Sequence, residues 1–259
     1  MAVFYLYPLL QVLWLSVSEP NFGLGNYYNL ATSRVVGRVT ETTVWICGLT
    51  TVITVALGYI VAYAMVHVGR HPFTAMMFCV LLTFWLSVLV RAFAWVMLLR
   101  SQGPVSAVLQ AIGIFQYPTS LARNEIGVDI GMVHFMLPLA ILPLYANMSG
   151  IDKRLIAAAR GLGAKPWQAF LQVFLPLSQP GLIAATVLVL VFSLGFFITP
   201  AILGGGKVVM VAEYIRVSFE ETLRWGQATA LASSLLIVVL LLLLVMGRFA
   251  DLKTVFGAR

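Results

Sequence analysis

The side chains that most often carry chemistry are scattered in this sequence. His67 and His71 have the H-x-x-x-H spacing that binds a metal ion on a continuous helix. Gly69 and Pro72 interrupt that helix, however, and no third ligand stands near it. The sequence also lacks a G-x-x-x-x-G-K-S/T phosphate loop and any Ser/His/Asp or paired-carboxylate arrangement in its apolar stretches. It therefore predicts no catalytic residue, no metal site and no cofactor bound by this chain.

A second kind of chemistry, the docking of another protein, is indicated by a polar and basic segment between two apolar stretches, residues 155–180. Helical spacing runs from Leu155 to Leu162, and Gly163 then supplies a stop. Pro166 suits the first position of a second helix, where its missing N–H has no partner to lose. The segment is therefore predicted to form two short helices joined at a glycine.

The second of these helices carries an apolar ridge. Its i, i+3, i+4, i+7 spacing is formed by Trp167, Phe170, Leu171 and Phe174. Pro176 and Pro180 are expected to break the helix before the next apolar stretch. A bent helical hairpin with an apolar ridge and basic flanks favours a docking element, the alternative being an ordinary amphipathic connecting loop.

This segment resembles the cytoplasmic loop of the permease subunits of ABC importers, whose pattern is E-A-A, three residues, Gly, and later a hydrophobic-Pro pair. Ala158 and Ala159 match the alanines, and Gly163 matches the glycine. Pro176 matches the proline, whereas Ala157 stands where the family has Glu. The resemblance implies a coupling helix seated in a cleft of an ATPase, in which the replaced acid removes a charge but leaves the shape. The implied coupling residues are Ala157, Ala158, Ala159, Gly163, Ala164, Trp167, Phe170 and Pro176.

The composition places such a loop in a membrane protein. Of the 259 residues, 61% are hydrophobic and 10% are charged, and the mean hydropathy is +0.98. A soluble domain has about twice that charged fraction. We therefore expect one transmembrane domain over residues 1–259, with the coupling loop at 150–180. The net charge of +7 is expected on the cytoplasmic face and does not indicate nucleic acid.

A membrane-spanning helix needs about 20 mainly apolar residues, and six stretches qualify. They are residues 1–17, 42–66, 73–99, 131–149, 181–202 and 228–247. The first is expected to be a true span, because it lacks the charged leading region of a signal peptide, which is the alternative.

The orientation follows from the Lys and Arg residues of the connecting loops. The loops near 67–72 and 150–180, with the tail from 248, carry eight bases, and the longer loops on the other side carry seven. The shorter set has the higher basic density, so we expect it in the cytoplasm. Both termini would then be cytoplasmic, and an ATPase could reach the 150–180 loop.

One charge, Arg91, lies well inside an apolar stretch, where insertion costs about 2.5–3.5 kcal/mol. The run from Trp85 to Trp95 resembles the W-x-S-x-L-x-R-x-x-A-W pattern in the third span of spermidine/putrescine-type permeases. The G-F-F-I-T-P-A-I-L-G-G run that contains Pro200 resembles the end of their fifth span. We expect these four residues, Trp85, Arg91, Trp95 and Pro200, to mark the translocation path. The alternative for Arg91 is a structural residue near the periplasmic end that extends its charge to the membrane surface or pairs with an acid such as Asp129 or Glu125.

The sequence is thus identified as a member of the permease subunits of type I ABC importers, in the spermidine/putrescine-type branch. This resemblance implies an all-α polytopic fold of about six transmembrane helices in the bacterial inner membrane. It implies a periplasmic solute-binding protein, a second permease subunit (a copy or a paralogue) and two cytoplasmic ATPase subunits that bind ATP and Mg. The implied cargo is a small solute, polyamine-like, amino-acid-derived or related.

Two other functional classes are weighed against this interpretation. A secondary, ion-coupled carrier would be expected to show inverted repeats and embedded ionisable residues. The sequence shows no repeat and no acid in the centre of a predicted span. A membrane-embedded enzyme would need a catalytic constellation, and none is present in the sequence.

Overall fold

The computed structural model describes residues 2–249, and every element in that part of the chain is a helix. The first helices are α1 (Ala2–Ser18), α2 (Gly25–Thr32), α3 (Arg34–His67), α4 (Arg70–Trp85), α5 (Val88–Leu99), α6 (Pro104–Ala111) and α7 (Glu125–Ser149). After them come α8 (Lys153–Gly161), α9 (Pro166–Ala169), a π-helical turn (Phe170–Phe174), α10 (Leu175–Leu194), α11 (Ile198–Leu203), α12 (Val211–Glu220) and α13 (Trp225–Phe249). The basic tail that entered the prediction of orientation lies mostly outside the described residues.

The helices form two compact units. The first unit contains the described residues up to Leu49, together with Ser87–Met132 and Ser193–Leu242. The second unit contains Thr50–Leu86 and Val133–Phe192, together with the described residues from Leu243 onwards.

Five helical segments are long and apolar enough to cross a membrane, judged by length and composition. They are Arg34–His67, Val88–Ala111, Glu125–Ser149, Pro166–Leu194 and Trp225–Arg248. A shorter apolar helix, Leu6–Ser18, coincides with the first predicted span. The prediction of an all-α polytopic fold with about six membrane-crossing segments is therefore confirmed.

The third predicted span, residues 73–99, is not one helix. Helix α4 ends at Trp85, Leu86 and Ser87 are extended, and α5 begins at Val88. The interruption contains neither proline nor glycine. Ser87 occupies the N-cap position of α5, which favours serine, although its hydroxyl makes no capping hydrogen bond. The prediction of a continuous helix was wrong because a strongly apolar run conceals such a break.

The fifth predicted span, residues 181–202, also has different bounds. Helical structure runs from Pro166 to Leu194, and α11 is a separate short helix. Pro176 and Pro180 therefore do not break the helix, contrary to the prediction. The wide π-turn lies directly before Pro176, where the proline ring and its missing N–H disfavour a regular α-turn.

In the first unit, an apolar core lies between α2, α3, α12 and α13. Its buried members are Leu30, Val36, Val39, Val211, Ala230 and Leu231. A buried polar contact joins two of these helices, because the Val211 N–H donates to Thr43 Oγ1 at 2.8 Å. The Thr43 hydroxyl in turn donates to the Val39 carbonyl oxygen at 2.7 Å. This short network fixes α12 against α3.

In the second unit, α3, α4 and α7 pack around Met65, Val80 and Ile141. Helices α3 and α7 approach each other closely at Gly58, where an added Cβ would lie 2.9 Å from the Ala140 Cβ. Small residues at such crossings are the usual means of packing helices tightly in a membrane.

Candidate functional site

The segment that sequence reasoning selected begins with a capped helix. The Asp152 carboxylate accepts a hydrogen bond from the Arg154 backbone N–H at 2.9 Å, which caps the first turn of α8. On α8, Ala157 and Ala158 are exposed and Ala159 is half-buried. The alanines that match the family pattern therefore lie on a short, well-capped helix whose outer face is open.

Gly163 forms the turn that follows α8, at the predicted place. Its φ is +92°, in the region that favours glycine over residues with a Cβ. The turn is closed by two backbone hydrogen bonds, from Gly163 N–H to the Arg160 oxygen at 3.0 Å and from Ala164 N–H to the Ala159 oxygen at 3.1 Å. The chain can therefore reverse sharply between α8 and the next helix.

The second arm starts with Pro166 at the first position of α9, as the sequence predicts. The Lys165 backbone N–H donates to Gln168 Oε1 at 2.8 Å, so the side chain satisfies one of the free donors at this helix start. Helix α9 continues into the π-turn and then into α10 without interruption.

The predicted apolar ridge of this arm is divided between two directions. Phe170 and Phe174 face α3, and Phe174 is only 2% exposed. Trp167 and Leu171 are open, with exposed fractions of 59% and 48%. Two residues of the ridge thus attach the segment to α3, and the other two remain exposed on its surface.

The anchor is an aromatic cluster with α3. The Tyr63 ring stands edge-on to the rings of Phe170 and Phe174, with centroid distances of 5.5 and 5.1 Å and interplanar angles of 89° and 90°. The Tyr59 hydroxyl lies 2.8 Å from Ser178 Oγ, and its ring lies 6.3 Å from that of Phe170. Edge-to-face pairs of this kind are favourable because the positive ring edge meets the negative ring face.

His67 completes the α3 side of the cluster. Its ring lies 4.2 Å from the Tyr63 ring and 5.8 Å from the Phe174 ring. Its Nδ1 lies 2.8 Å from the Tyr63 carbonyl oxygen. His67 therefore packs against the segment through its ring.

Sequence reasoning missed this α3 stripe. Tyr59, Tyr63 and His67 stand at i, i+4 and i+8, which places them on one face of a helix. That spacing was visible in the sequence, but nothing in it identified the segment about 100 residues later as the partner of that face.

The free surface of the segment is apolar. Leu162, at the end of α8, is 91% exposed, and Leu155 is 48% exposed. With Trp167 and Leu171, these residues form an open apolar surface flanked by basic side chains. We call these four residues the docking face.

The four residues expected to mark the translocation path differ in burial and in the unit to which they belong. Trp85 is 84% exposed at the end of α4, in the second unit. Arg91 is buried on α5 and Trp95 is half-buried one turn later. Pro200 is buried on α11, which packs against α5 within the first unit. Arg91, Trp95 and Pro200 therefore share one unit, and Trp85 belongs to the other.

The buried charged side chains of the described residues belong to one unit. Among the described side chains, the buried charged ones are Arg91, Asp129 and Glu213, and all belong to the first unit. No three His, Cys, Asp or Glu side chains within residues 2–249 are grouped as ligands of a metal ion would be.

Comparison with known proteins gives three relevant findings. The family model described as "Binding-protein-dependent transport system inner membrane component" matches residues 54–252. The spermidine/putrescine transport system permease protein PotB of Haemophilus influenzae is 35% identical over 210 residues, which are 81% of this chain and 73% of that protein. PotB of Escherichia coli K12 is 30% identical over 204 residues, 79% of this chain and 74% of that protein.

The fold is shared with a solved transporter. A crystal structure of a bacterial ABC transporter involved in the import of the acidic polysaccharide alginate superposes with a TM-score of 0.79. The match covers 96% of this chain and 91% of that chain at 18% sequence identity. At this identity the likeness concerns the fold alone.

Proposed function

Since this chain belongs to the family of binding-protein-dependent transport system inner membrane components, the permease subunits of ABC importers, we propose that residues 150–180 are its contact with the ATPase subunits. The chain is a multi-pass protein of the bacterial inner membrane. We place both termini and the 150–180 loop in the cytoplasm, on the basis of the Lys and Arg distribution. All 259 residues then serve one transmembrane domain.

The observation that carries this proposal is the docking face. Within this face, Leu162 is 91% exposed and Trp167 is 59% exposed. Apolar surface of this kind on a polar side of a protein marks an interaction site. Its neighbours Ala157 and Ala158 are small and exposed, so a partner can approach the α8 backbone closely.

The remaining partners follow from the same assignment. A periplasmic solute-binding protein delivers cargo to the outer face, and a second permease subunit, alike or paralogous, completes the path. ATP and Mg are bound by two ATPase subunits, whose closure moves the coupling segment and exchanges inward-facing and outward-facing states. In physical terms, the transporter has two states, and their equilibrium is shifted by the binding protein on one side of the membrane and by the ATPase subunits on the other.

For the cargo, we propose a polyamine-like cation. Both PotB relatives named above carry spermidine and putrescine in their names. An arginine in the path would favour an anionic or zwitterionic solute, but Arg91 is buried within this subunit. Its burial supports the structural alternative and removes the argument against a cation.

Trp85 is the path residue that the geometry supports best. A surface that lines a path between two subunits is open in one subunit alone, and Trp85 is 84% exposed. The carbonyl groups at the end of α4 have no intrahelical partners, which is tolerated at membrane depth beside protein or water but not lipid. An aromatic face also suits a cationic solute. Buried Pro200 and Arg91 are assigned to packing instead.

The secondary-carrier alternative makes a different prediction. Such a carrier would move its solute in proteoliposomes without ATP or any ATPase subunit. An ABC permease alone would not. Transport of spermidine by the isolated chain down an ion gradient would therefore overturn the proposal.

The direct test is co-purification with the candidate ATPase subunits. The chains are expressed together and then solubilised in mild detergent. We expect a stable complex with the native chain, and loss of the ATPase subunits in Leu162→Glu, because a carboxylate would be buried in an apolar contact. Ile114→Glu is the matched control, since Ile114 is also a well-exposed aliphatic residue, at 62%, but lies outside the loop. Equal recovery of ATPase subunits with both variants would contradict the assignment of the docking face.

A further inference from the structure

We call residues 150–180 the coupling segment. The part of it from Phe170 to Ser178 contacts α3 through side chains that are not in the docking face. On α3, Tyr59, Tyr63 and His67 stand at i, i+4 and i+8. On the segment, Phe170, Phe174 and Ser178 have the same spacing. The two stripes meet face to face, and we call them together the aromatic clasp.

The clasp is held by several contacts of different kinds. Tyr63 stands edge-on to two phenylalanine rings that are themselves stacked, with a centroid distance of 5.8 Å and an interplanar angle of 18°. The Tyr59 hydroxyl and Ser178 Oγ are 2.8 Å apart. Because ring edges, ring faces and hydroxyl groups must all stay in register, the segment cannot slide along α3 without losing several contacts at once.

The helix geometry of the segment is adapted to this contact. The π-turn spans Phe170–Phe174, and its closing hydrogen bond runs from the Leu175 N–H to the Phe170 oxygen. Single π-turns inside α-helices are rare and recur at functional sites. Here the turn lies within the part of the segment that faces α3.

We propose that Tyr59, Tyr63 and His67 are positioning residues that clamp α3 to the coupling segment, so that displacement of the segment by the ATPase subunits is delivered to α3. This inference rests on the proposed function of the 150–180 loop. It adds residues outside the loop pattern and assigns α3 as the membrane helix that receives the movement.

The test uses the whole importer in proteoliposomes and measures the factor by which the purified binding protein stimulates ATP hydrolysis. Tyr63→Leu removes both edge contacts while keeping an apolar side chain. We expect it to lower the stimulation factor at least about fivefold, in line with the loss of its two aromatic pairs with the segment. Tyr63→Phe is the matched control, because it keeps the ring, and we expect its stimulation to stay within about twofold of the native value.

The stimulation factor separates positioning from mere stability. A purely structural role for Tyr63 would lower the yield or the melting temperature of the complex and leave stimulation per complex unchanged. Equal stimulation factors for Tyr63→Leu and Tyr63→Phe would therefore overturn the proposal.

A second set of variants keeps the test informative if Tyr63→Leu does not assemble. Tyr59→Phe and Ser178→Ala each remove one side of the hydroxyl contact with little change in volume. We expect each to lower the stimulation factor, and the double variant to be no worse than the more severe single one, because the two changes remove the same contact. Native stimulation in all three would also overturn the clasp.

These outcomes are distinct from failure of the proposed function. A native chain that binds no ATPase subunit would refute the ABC permease assignment for the loop. Native-like stimulation of the clasp variants in an intact, ATP-dependent complex would refute only the clasp.

Discussion

At the scale of single residues, Gly163 shows how a conformational need differs from a spatial one. An added Cβ at this position would meet nothing within 4 Å, so there is room for a side chain. Its φ of +92° is nevertheless strained for any residue with a Cβ. Gly161, two residues earlier, has the same open space and no positive φ. The two glycines therefore form a matched pair.

We expect Gly163→Val to distort the turn and uncouple ATP hydrolysis from transport while membrane insertion stays normal. The left-handed region costs an ordinary residue about 1–2 kcal/mol. Gly161→Ala, on α8, should keep full coupling and stabilise the helix slightly. The measurement is binding-protein-stimulated ATPase activity of the reconstituted importer. Stimulated transport retained by Gly163→Val would count against a role for the turn in coupling.

Glu213, outside the membrane-spanning segments, offers a pH-dependent prediction. Its side chain is 7% exposed, and no hydrogen-bond partner lies near Oε2 among the described residues. Burial raises the pKa of the Glu213 carboxyl, against an opposing effect of Arg216. An acid whose pKa is raised on folding destabilises the protein once pH rises above the unfolded value, and increasingly up to the folded value.

Glu213→Gln should therefore raise the melting temperature at pH 7, by roughly 2–4 °C. The difference from the native chain should shrink as the pH falls from 7 through the raised pKa of Glu213, because the native carboxyl then takes up a proton and the variant has no such titration. Melting curves across this pH range in detergent are the measurement. A difference that grows as the pH falls would contradict the assigned cause.

At the scale of helices, the sequence predicted the presence of each long helix better than the residues at which it begins and ends. Long apolar stretches must be helical in a membrane, because no water there can satisfy an exposed backbone. Pro176 and Pro180 misled the prediction, since the π-turn lets the chain remain helical around them. The break after Trp85 was missed for the opposite reason, because it contains no residue that usually interrupts a helix.

Helix packing gives a prediction in which two similar changes have opposite signs. Gly58→Ala would place a Cβ 2.9 Å from the Ala140 Cβ, whereas Gly48→Ala on the same helix meets nothing within 4 Å. We expect the first to destabilise by about 1–3 kcal/mol through overpacking. The second should stabilise by about 0.5–1 kcal/mol through helix propensity. Thermal unfolding in detergent tests both, and equal effects would contradict the close α3–α7 packing.

At the scale of the whole molecule, the orientation can be tested by labelling. In a variant with Cys47→Ala and Cys79→Ala, single cysteines at Leu162→Cys and Ile114→Cys are both expected to be accessible, since the native residues are 91% and 62% exposed. A membrane-impermeant maleimide should label only the second in intact cells once the outer membrane is permeable. The first should react after the inner membrane is opened. The reverse pattern would invert the proposed topology.

The membrane class and the two short helices joined at Gly163 were thus predictable from the sequence because each depends on a local pattern. The sorting of path candidates was not, because it depends on burial. Arg91 and Trp85 lie in one apolar run, yet the first is 8% exposed and the second 84% exposed. Only the packed helices separate a side chain held inside the subunit from one left open for a partner or a path.

The length of α3 determines how far a displacement at its end moves the rest of the helix. Its 34 residues contain no proline, and at 1.5 Å per residue they extend about 50 Å, whereas the hydrocarbon layer is about 30 Å thick. The clasp residues occupy its last nine positions. The part of α3 that lies in the second unit (50–67) has 18 residues and is about 27 Å long. A sideways push of about 5 Å at its clasp end, one helical pitch, would tilt this part by about 10° and move its middle by about 2.5 Å. That travel is close to the diameter of a water molecule, about 2.8 Å, so a modest push at one end displaces the helix by about one layer of water.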